Sequence, residues 1–437
     1  MLLHYFLPRR AQNPFLLLAS LLFYAWGDVR RVPLFLGLLL VDWGVGLLLG
    51  RAKGRGQKKA LLALGLGCSF GALLFYKYAS FLLGVFGLEF SALRDLTLPL
   101  GISFFTFQAA GYLIDVYRGK VSPERDPIAF GAFIFLFPQL IAGPIVRYQD
   151  LSKALHEKRR PSHQALDSGM ALFVAGLSCK VLLANPLGAM YDQLRAYPQD
   201  MACAWLSLIA YSLQIYFDFM GYSVMAVGMG RMLGFTFPRN FRDPYAASSV
   251  TDFWRRWHIT LSSWFRDYVY IPLGGSRKGR GRTALNLLCV WLLTGFWHGA
   301  DWTFILWGLW YFVFLSAEKF LLKGRGLRPV WLGRLFTLLC VSLGWALFVS
   351  DGLSGFGGYV KDLFCLKVSS VSLFWLREYA LLLAISAVLC VPKAVSACKR
   401  LMNRFPPLRL AAMLALLILC VASLAKSTYN PFLYFRF

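Results

Sequence analysis

Apolar runs long enough to cross a bilayer recur from one end of this 437-residue chain to the other, and short basic loops separate them. A helical crossing of the hydrocarbon takes about 20 apolar residues, so the runs predict about eleven. Six are Asn13 to Trp26, Val32 to Leu49, Ala60 to Leu88, Leu98 to Tyr117, Leu166 to Gly188 and Met201 to Met232. Five more are Ala284 to Ala300, Trp302 to Leu322, Leu332 to Val349, Phe374 to Val391 and Leu408 to Leu424. With 58% hydrophobic and 15% charged residues, the chain lacks the polar surface that a soluble domain needs. The expected fold is therefore an all-α polytopic membrane protein, a single membrane domain over residues 1–437.

Charge supports this reading and orients it. Lys and Arg number 46 against 21 Asp and Glu. In a soluble chain that surplus would suggest nucleic acid. Here it is concentrated in loops, where it marks the cytoplasmic side, and its partners are membrane lipid and an anionic cosubstrate rather than nucleic acid. Arg51, Lys53, Arg55, Lys58 and Lys59 make their loop cytoplasmic. Alternation then places Arg9 and Arg10, Arg118 to Arg125, Arg147 to Arg160 and Arg239 to Arg282 inside. Lys323, Arg325 and Arg328, then Lys399, Arg400 and Arg404, follow them. An odd number of crossings leaves the C-terminus outside.

Two stretches depart from simple spans. Ile128 to Tyr148 is apolar but carries Pro138, Gly143 and Pro144, which break helices. Asn240 to Gly275 mixes Trp, Tyr and Arg and is too charged for lipid. Such backbone at membrane depth must be buried in protein or line an aqueous cavity, so both are expected, as re-entrant or interfacial elements, to wall a site. The nine cysteines are scattered, without metal-ligand spacing, and read as apolar packing residues.

Of five histidines, His4, His156 and His163 read as solvated surface. His298 ends an apolar helix in the run Thr294-Gly295-Phe296-Trp297-His298-Gly299-Ala300. An ionisable group within a span is a functional candidate, and Gly295 and Gly299 open one face for close approach. The alternative is a buried His satisfied by a neighbouring helix. His258 borders a stripe of Trp254, Trp257, Leu261, Trp264 and Tyr268, whose three- and four-residue spacing predicts one amphipathic helix with Trp254, His258 and Ser262 in a row. A basic aromatic helix of this kind also suits a membrane surface. Arg255 and Arg256 lie off the stripe. Beyond Gly274-Gly275, the cluster of Arg277, Lys278, Arg280 and Arg282 suits either membrane anchoring or the phosphates of a nucleotide cosubstrate.

Taken together, FWRRWHITLSSWFRDYVYIPLGG and the later TGFWHGADWTFILWG resemble the membrane-bound O-acyltransferase family, in the branch of bacterial alginate and peptidoglycan O-acetyltransferases. LPLGISFFTFQAAGYLIDVYRG, FPQLIAGPIVRY and QIYFDFMGYSVMAVGMGRMLGF extend the likeness over essentially the whole chain. The resemblance implies an enzyme of the bacterial inner membrane that moves acetyl from cytosolic acetyl-CoA to an extracytoplasmic polysaccharide. It makes His298 the active-site base in a central tunnel and His258 a second, positional His near the cytoplasmic mouth. No permanently bound cofactor or metal is expected; Arg255, Arg256, Arg277 and Lys278 are the candidate contacts to the donor. The ending Asn430-Pro431-Phe432-Leu433-Tyr434-Phe435-Arg436-Phe437 resembles the aromatic terminal motif of related acylation systems. This implies that Tyr434 carries the acetyl group to an extracytoplasmic SGNH-type acetyltransferase partner. Relatives begin with a further apolar helix before the stretch matched by Met1 to Pro8, so this chain is expected to start within that helix's end or to lack it. A D-alanyltransferase acting on teichoic acid is the nearer alternative, and a transporter of an anionic metabolite the more distant one.

Overall fold

The computed structural model describes residues 2–88, 97–141, 143–324 and 326–426, which form helices and connecting turns with no strand among them. Helices satisfy their own backbone groups, as hydrocarbon requires. The chain divides into two compact units, Met1–Phe173 with Met225–Pro238, and Val174–Val224 with Arg239–Phe437.

The first unit contains α1 (Arg9–Asp28), α2 (Val32–Arg51), α3 (Arg55–Val85), α4 (Ile102–Tyr117), α5 (Pro127–Phe135) and α6 (Tyr148–His156). Helix α4 is its axis: every residue from Ile102 to Leu113 is buried, against α2, α3 and α5. Phe35, Phe105, Phe130, Phe133 and Phe135 fill the space between them. The chain enters α4 through Gly101 at φ 73°, where a side chain would strike the Leu140 carbonyl oxygen at 2.6 Å. Leu18, Leu22, Leu40, Leu64 and Leu74 are exposed. A row of outward leucines suits lipid, not water. The apolar stretch after Ile128 is broken as its prolines and glycine require, into α5 and a turn of helix at Phe137–Leu140, and it is buried in protein throughout Ala129–Leu136.

His4 corrects its sequence reading. It is fully buried, and Arg159 Nε donates to its Nε2 at 3.4 Å. Gln12, also buried, donates to the carbonyls of His4 and Arg159 and draws the terminal turn into the unit. His156 is half-exposed and meets the buried carboxylate of Glu124 at 2.7 Å, and His163 is exposed.

The second unit begins within α7 (His163–Ser178) and continues through a wide π-type turn, Cys179–Ala184, into α8 (Asn185–Arg195). Helix α9 (Met201–Met232) contributes its residues up to Val224. Two short helices follow, α10 (Val250–Trp254) and α11 (Ile259–Phe265), then α12 (Gly279–His298), α13 (Trp302–Phe320), α14 (Val330–Val349) and α15 (Gly352–Phe364). The chain ends in α16 (Ser370–Glu378), α17 (Ala380–Leu389), α18 (Pro392–Arg404) and α19 (Pro406–Lys426). Helices α12 and α13 form a tight hairpin. A Cβ on Gly295 would lie 2.3 Å from the Phe304 carbonyl oxygen, and one on Gly308 would lie 2.4 Å from that of Trp291. The two backbones touch directly, as small residues permit in membrane helices.

Where eleven spans were expected, six helical segments among the described residues have the length and apolarity of a crossing, or seven with the bent pair α16–α17. One of the six, Arg9–Arg51, contains both α1 and α2. The remaining expected spans are helices that are too short or too polar. Helix α4 has 16 residues. Helix α12 opens on Arg280 and Arg282 and ends on His298, while α13 ends with Glu318 and Lys319.

Candidate active site

Ser249 starts α10 by accepting from the Asp252 amide at 3.0 Å. The buried carboxylate of Glu318, from α13, accepts the next two free amides, Val250 at 2.6 Å and Thr251 at 2.8 Å. These are the orphan donors of a helix N-terminus, where a negative group is favoured. The helix then stops. His258 takes the left-handed conformation (φ 43°, ψ 54°), and helix resumes at Ile259. The continuous helix predicted through Trp254 to Tyr268 is therefore two helices with a break at Arg255 to His258. Ser262 still approaches Trp254, donating to its carbonyl at 3.3 Å, but across the break.

Asn240 holds the break open. Its carbonyl accepts the Ile259 amide at 2.9 Å, and its side-chain Oδ1 accepts from the amide and hydroxyl of Thr260 at 3.3 and 2.9 Å. The same oxygen lies 3.0 Å from His258 Nδ1. An amide oxygen only accepts, so Nδ1 carries the proton and Nε2 presents a lone pair. His258 is 1% exposed, and Nε2 has no hydrogen-bond partner among the described residues. Burial pushes its pKa down to about 3, so the ring is neutral. A non-glycine residue in this conformation costs of order 1–3 kcal/mol and persists where surrounding structure over-determines it. Asn240 supplies that determination.

His298 ends α12 where the chain turns through extended Gly299 into α13, whose first amides are capped by Asp301. It is 9% exposed. Its ring meets Trp307 at 4.8 Å, Phe348 at 5.1 Å and Trp297 at 4.7 Å between centroids. Trp297 also meets His258, at 6.2 Å, so one indole touches both imidazoles. Phe219 closes the other side of His258 edge-on at 4.7 Å. Behind them, Trp254 packs on Trp291, Trp307 and Tyr311, and Trp257 on Trp345.

The cationic candidates sit apart. Arg255 is exposed at the break, and Arg256 pairs with Asp252 at 2.9 Å. Arg277 and Lys278 are exposed on a separate turn, following Gly274 and Gly275. There Lys319 Nζ donates to Ser276 Oγ at 2.8 Å and to the Tyr270 hydroxyl at 3.0 Å. Tyr434 lies outside the described residues.

Asn240 and Glu318 shape this segment in a way that pattern alone does not reveal, because their partners are 18 and about 68 residues away. An ion pair was legible in principle. Lys180, in the wide turn after α7, pairs with buried Asp218 of α9. Opposite charges inside two apolar runs mark a functional or structural pair. Asp218 immediately precedes Phe219, the residue against His258.

The profile of the membrane-bound O-acyltransferase family matches residues 124–342, half of the chain, and that span contains both histidines. The chain is 42% identical over 364 residues to the probable alginate O-acetylase of Pseudomonas putida, covering 80% of this chain and 74% of that protein. It is 36% identical over 392 residues to the peptidoglycan O-acetyltransferase of Helicobacter pylori, covering 80% and 74%. The teichoic acid D-alanyltransferase of Bacillus subtilis is 28% identical over 235 residues, 51% of this chain and 60% of that protein. The chain is a multi-pass membrane protein and an O-acyltransferase, and it belongs to the membrane-bound O-acyltransferase family.

Proposed function

We propose that this enzyme O-acetylates an extracytoplasmic polysaccharide from the bacterial inner membrane, taking acetyl from cytosolic acetyl-CoA. The observation that carries the reading is the pair of buried imidazoles that both contact Trp297, in a chain 42% identical to an alginate O-acetylase. Alginate and peptidoglycan are the acceptors named for the relatives, and an acetylated polysaccharide is the class they share.

In this mechanism a ring nitrogen of His298 takes the proton of an attacking hydroxyl as its oxygen adds to the thioester carbonyl. The tetrahedral adduct then collapses, the ester forms, and the C–S bond breaks. The departing thiolate takes the proton from the imidazolium, leaving free thiol and neutral His298. A base works best when its pKa lies near the ambient pH, which suits imidazole. His258, locked in one tautomer by Asn240, positions rather than exchanges protons. Arg255, Arg256, Arg277 and Lys278 meet the phosphates of the donor on the cytoplasmic side. The first acceptor hydroxyl is that of Tyr434, whose acetyl ester then passes to an extracytoplasmic SGNH-type transferase.

The test is to incubate the purified protein with acetyl-CoA and examine its C-terminal peptide by mass spectrometry. An acetyl group on Tyr434 that is absent from His298→Ala supports donor, base and relay together. Thioester turnover that depends on His298, with no acetyl on Tyr434, removes the relay and sends acetyl directly to a partner or acceptor. Thioester turnover unchanged in His298→Ala overturns the assignment of the base. D-Alanyl transfer is the second reading, favoured by the 28% likeness to teichoic acid D-alanyltransferases over 51% to 61% of the chain. It predicts transfer from a D-alanyl carrier protein and none from acetyl-CoA.

A further inference from the structure

A cavity of about 860 Å³ lies within the second unit between α9, α14 and the corner joining α17 to α18. Its walls are apolar side chains such as Ile209 and Leu338, both of them exposed. Two cations line it, Arg334 in the second turn of α14 and Lys393 at the start of α18. No acidic residue lines the cavity, and neither cation has an ion pair among the described residues. From Arg334 the lining follows α14 as far as Ser342, about 12 Å at the helical rise per residue. That is a charged mouth opening on a long apolar trough.

The surroundings identify the occupant. The loop charges place both cations on the cytoplasmic side, the face whose lipids are anionic. Helix α18 carries Lys393, Lys399, Arg400 and Arg404, and none of its residues is buried, as for a helix lying in a membrane interface. A guanidinium and an ammonium lining one groove are complementary to a phosphate diester, and the trough to an acyl chain. We propose that this groove binds one anionic glycerophospholipid, its phosphate between Arg334 and Lys393 and one acyl chain along α14 toward Ser342. The lipid backs the catalytic wall. Tyr245, which lines the groove and donates its hydroxyl to the Ser212 carbonyl, packs on Phe253 at 6.1 Å and on Trp257 at 6.3 Å. Trp257 immediately precedes His258.

The test does not depend on acyl transfer. The purified full chain is equilibrated with equimolar phosphatidylglycerol and phosphatidylcholine of identical acyl chains, and retained lipids are counted by native mass spectrometry. The wild type is expected to retain phosphatidylglycerol preferentially, and Arg334→Gln/Lys393→Gln to lose that preference about tenfold. Leu338→Trp, which fills the trough and keeps both charges, is expected to lose the bound lipid. Lys399→Gln/Arg400→Gln, which removes two charges of α18 outside the groove, is expected to leave retention unchanged. Equal retention of the two lipids by the wild type, or undiminished preference in the first double variant, overturns the proposal. So does an equal loss in the α18 control, which would make the attraction a property of the basic surface. The folding of each variant is read from its monodisperse elution, and Leu338→Trp tests the trough independently of the charge pair.

Discussion

A histidine in the left-handed region, buried, with one nitrogen held by an amide oxygen, is an expensive arrangement to keep in a protein. The energetics make it testable. Asn240→Ala removes the acceptor of His258 Nδ1 and of both Thr260 donors. A buried donor left without its partner costs about 1–3 kcal/mol. The variant is therefore expected to unfold at lower temperature and to turn over acetyl-CoA at least tenfold more slowly. A double-mutant cycle with His258→Ala separates the pairing from general damage. If Asn240 acts through His258, the second substitution costs about 1 kcal/mol less on the background of the first. Strictly additive losses, in both thermal stability and turnover, would show that the hydrogen bond does not position the ring. This pairing was not readable from the chain. His258 stood out as a histidine beside an aromatic stripe, but its partner lies on another segment and its conformation is set by that partner.

At the scale of elements, apolar period and helix breakers made most of the spans legible, because a membrane helix needs little more than length and apolarity. They misjudged the elements that build the site. The run from Trp254 to Tyr268 has the spacing of one helix, yet Asn240 supplies hydrogen bonds that stabilise a break within it, and Glu318 caps the short helix before the break. Helix α12 carries arginines, asparagine and histidine, which leave it too polar to read as a simple span. Gly295 was legible as a point of close approach, and the hairpin shows what approaches. Gly295→Ala would set a Cβ 2.3 Å from the Phe304 carbonyl oxygen, and backbone cannot yield as a side-chain tip does. The variant is expected to part α12 from α13, lose several degrees of thermal stability and lose most activity as His298 shifts. Gly281→Ala in the same helix meets nothing within 4 Å. There the exchange should be neutral or stabilise by about 0.5–1 kcal/mol, because alanine favours the helix. Equal behaviour of the two variants in a thermal-inactivation assay would remove the hairpin contact as the reason for the glycine.

For the whole molecule, the decisive question is which way it faces, because the proposed transfer, from an acetyl donor on one side to a polysaccharide on the other, requires a fixed orientation. The basic loops answer it by the positive-inside rule, and the side-chain exposures provide a native probe. Of nine free cysteines, Cys398 is the exposed one, and it lies on α18 beside Lys399 and Arg400. Burial shields Cys203, Cys340 and Cys420, and the other five are partly covered. A membrane-impermeant maleimide should therefore label the protein rapidly in inside-out vesicles and not in intact spheroplasts, and Cys398→Ser should abolish that rapid labelling. From Cys398 the chain passes through α19, Pro406–Lys426, which is long and apolar enough to cross once. A cytoplasmic Cys398 followed by one crossing is what the proposed relay through Tyr434 requires, since its partner is extracytoplasmic. Rapid labelling from outside would reverse the inferred orientation of α18. It would leave Tyr434 in the cytoplasm, and the relay through Tyr434 would have to be abandoned even if His298 remained the base.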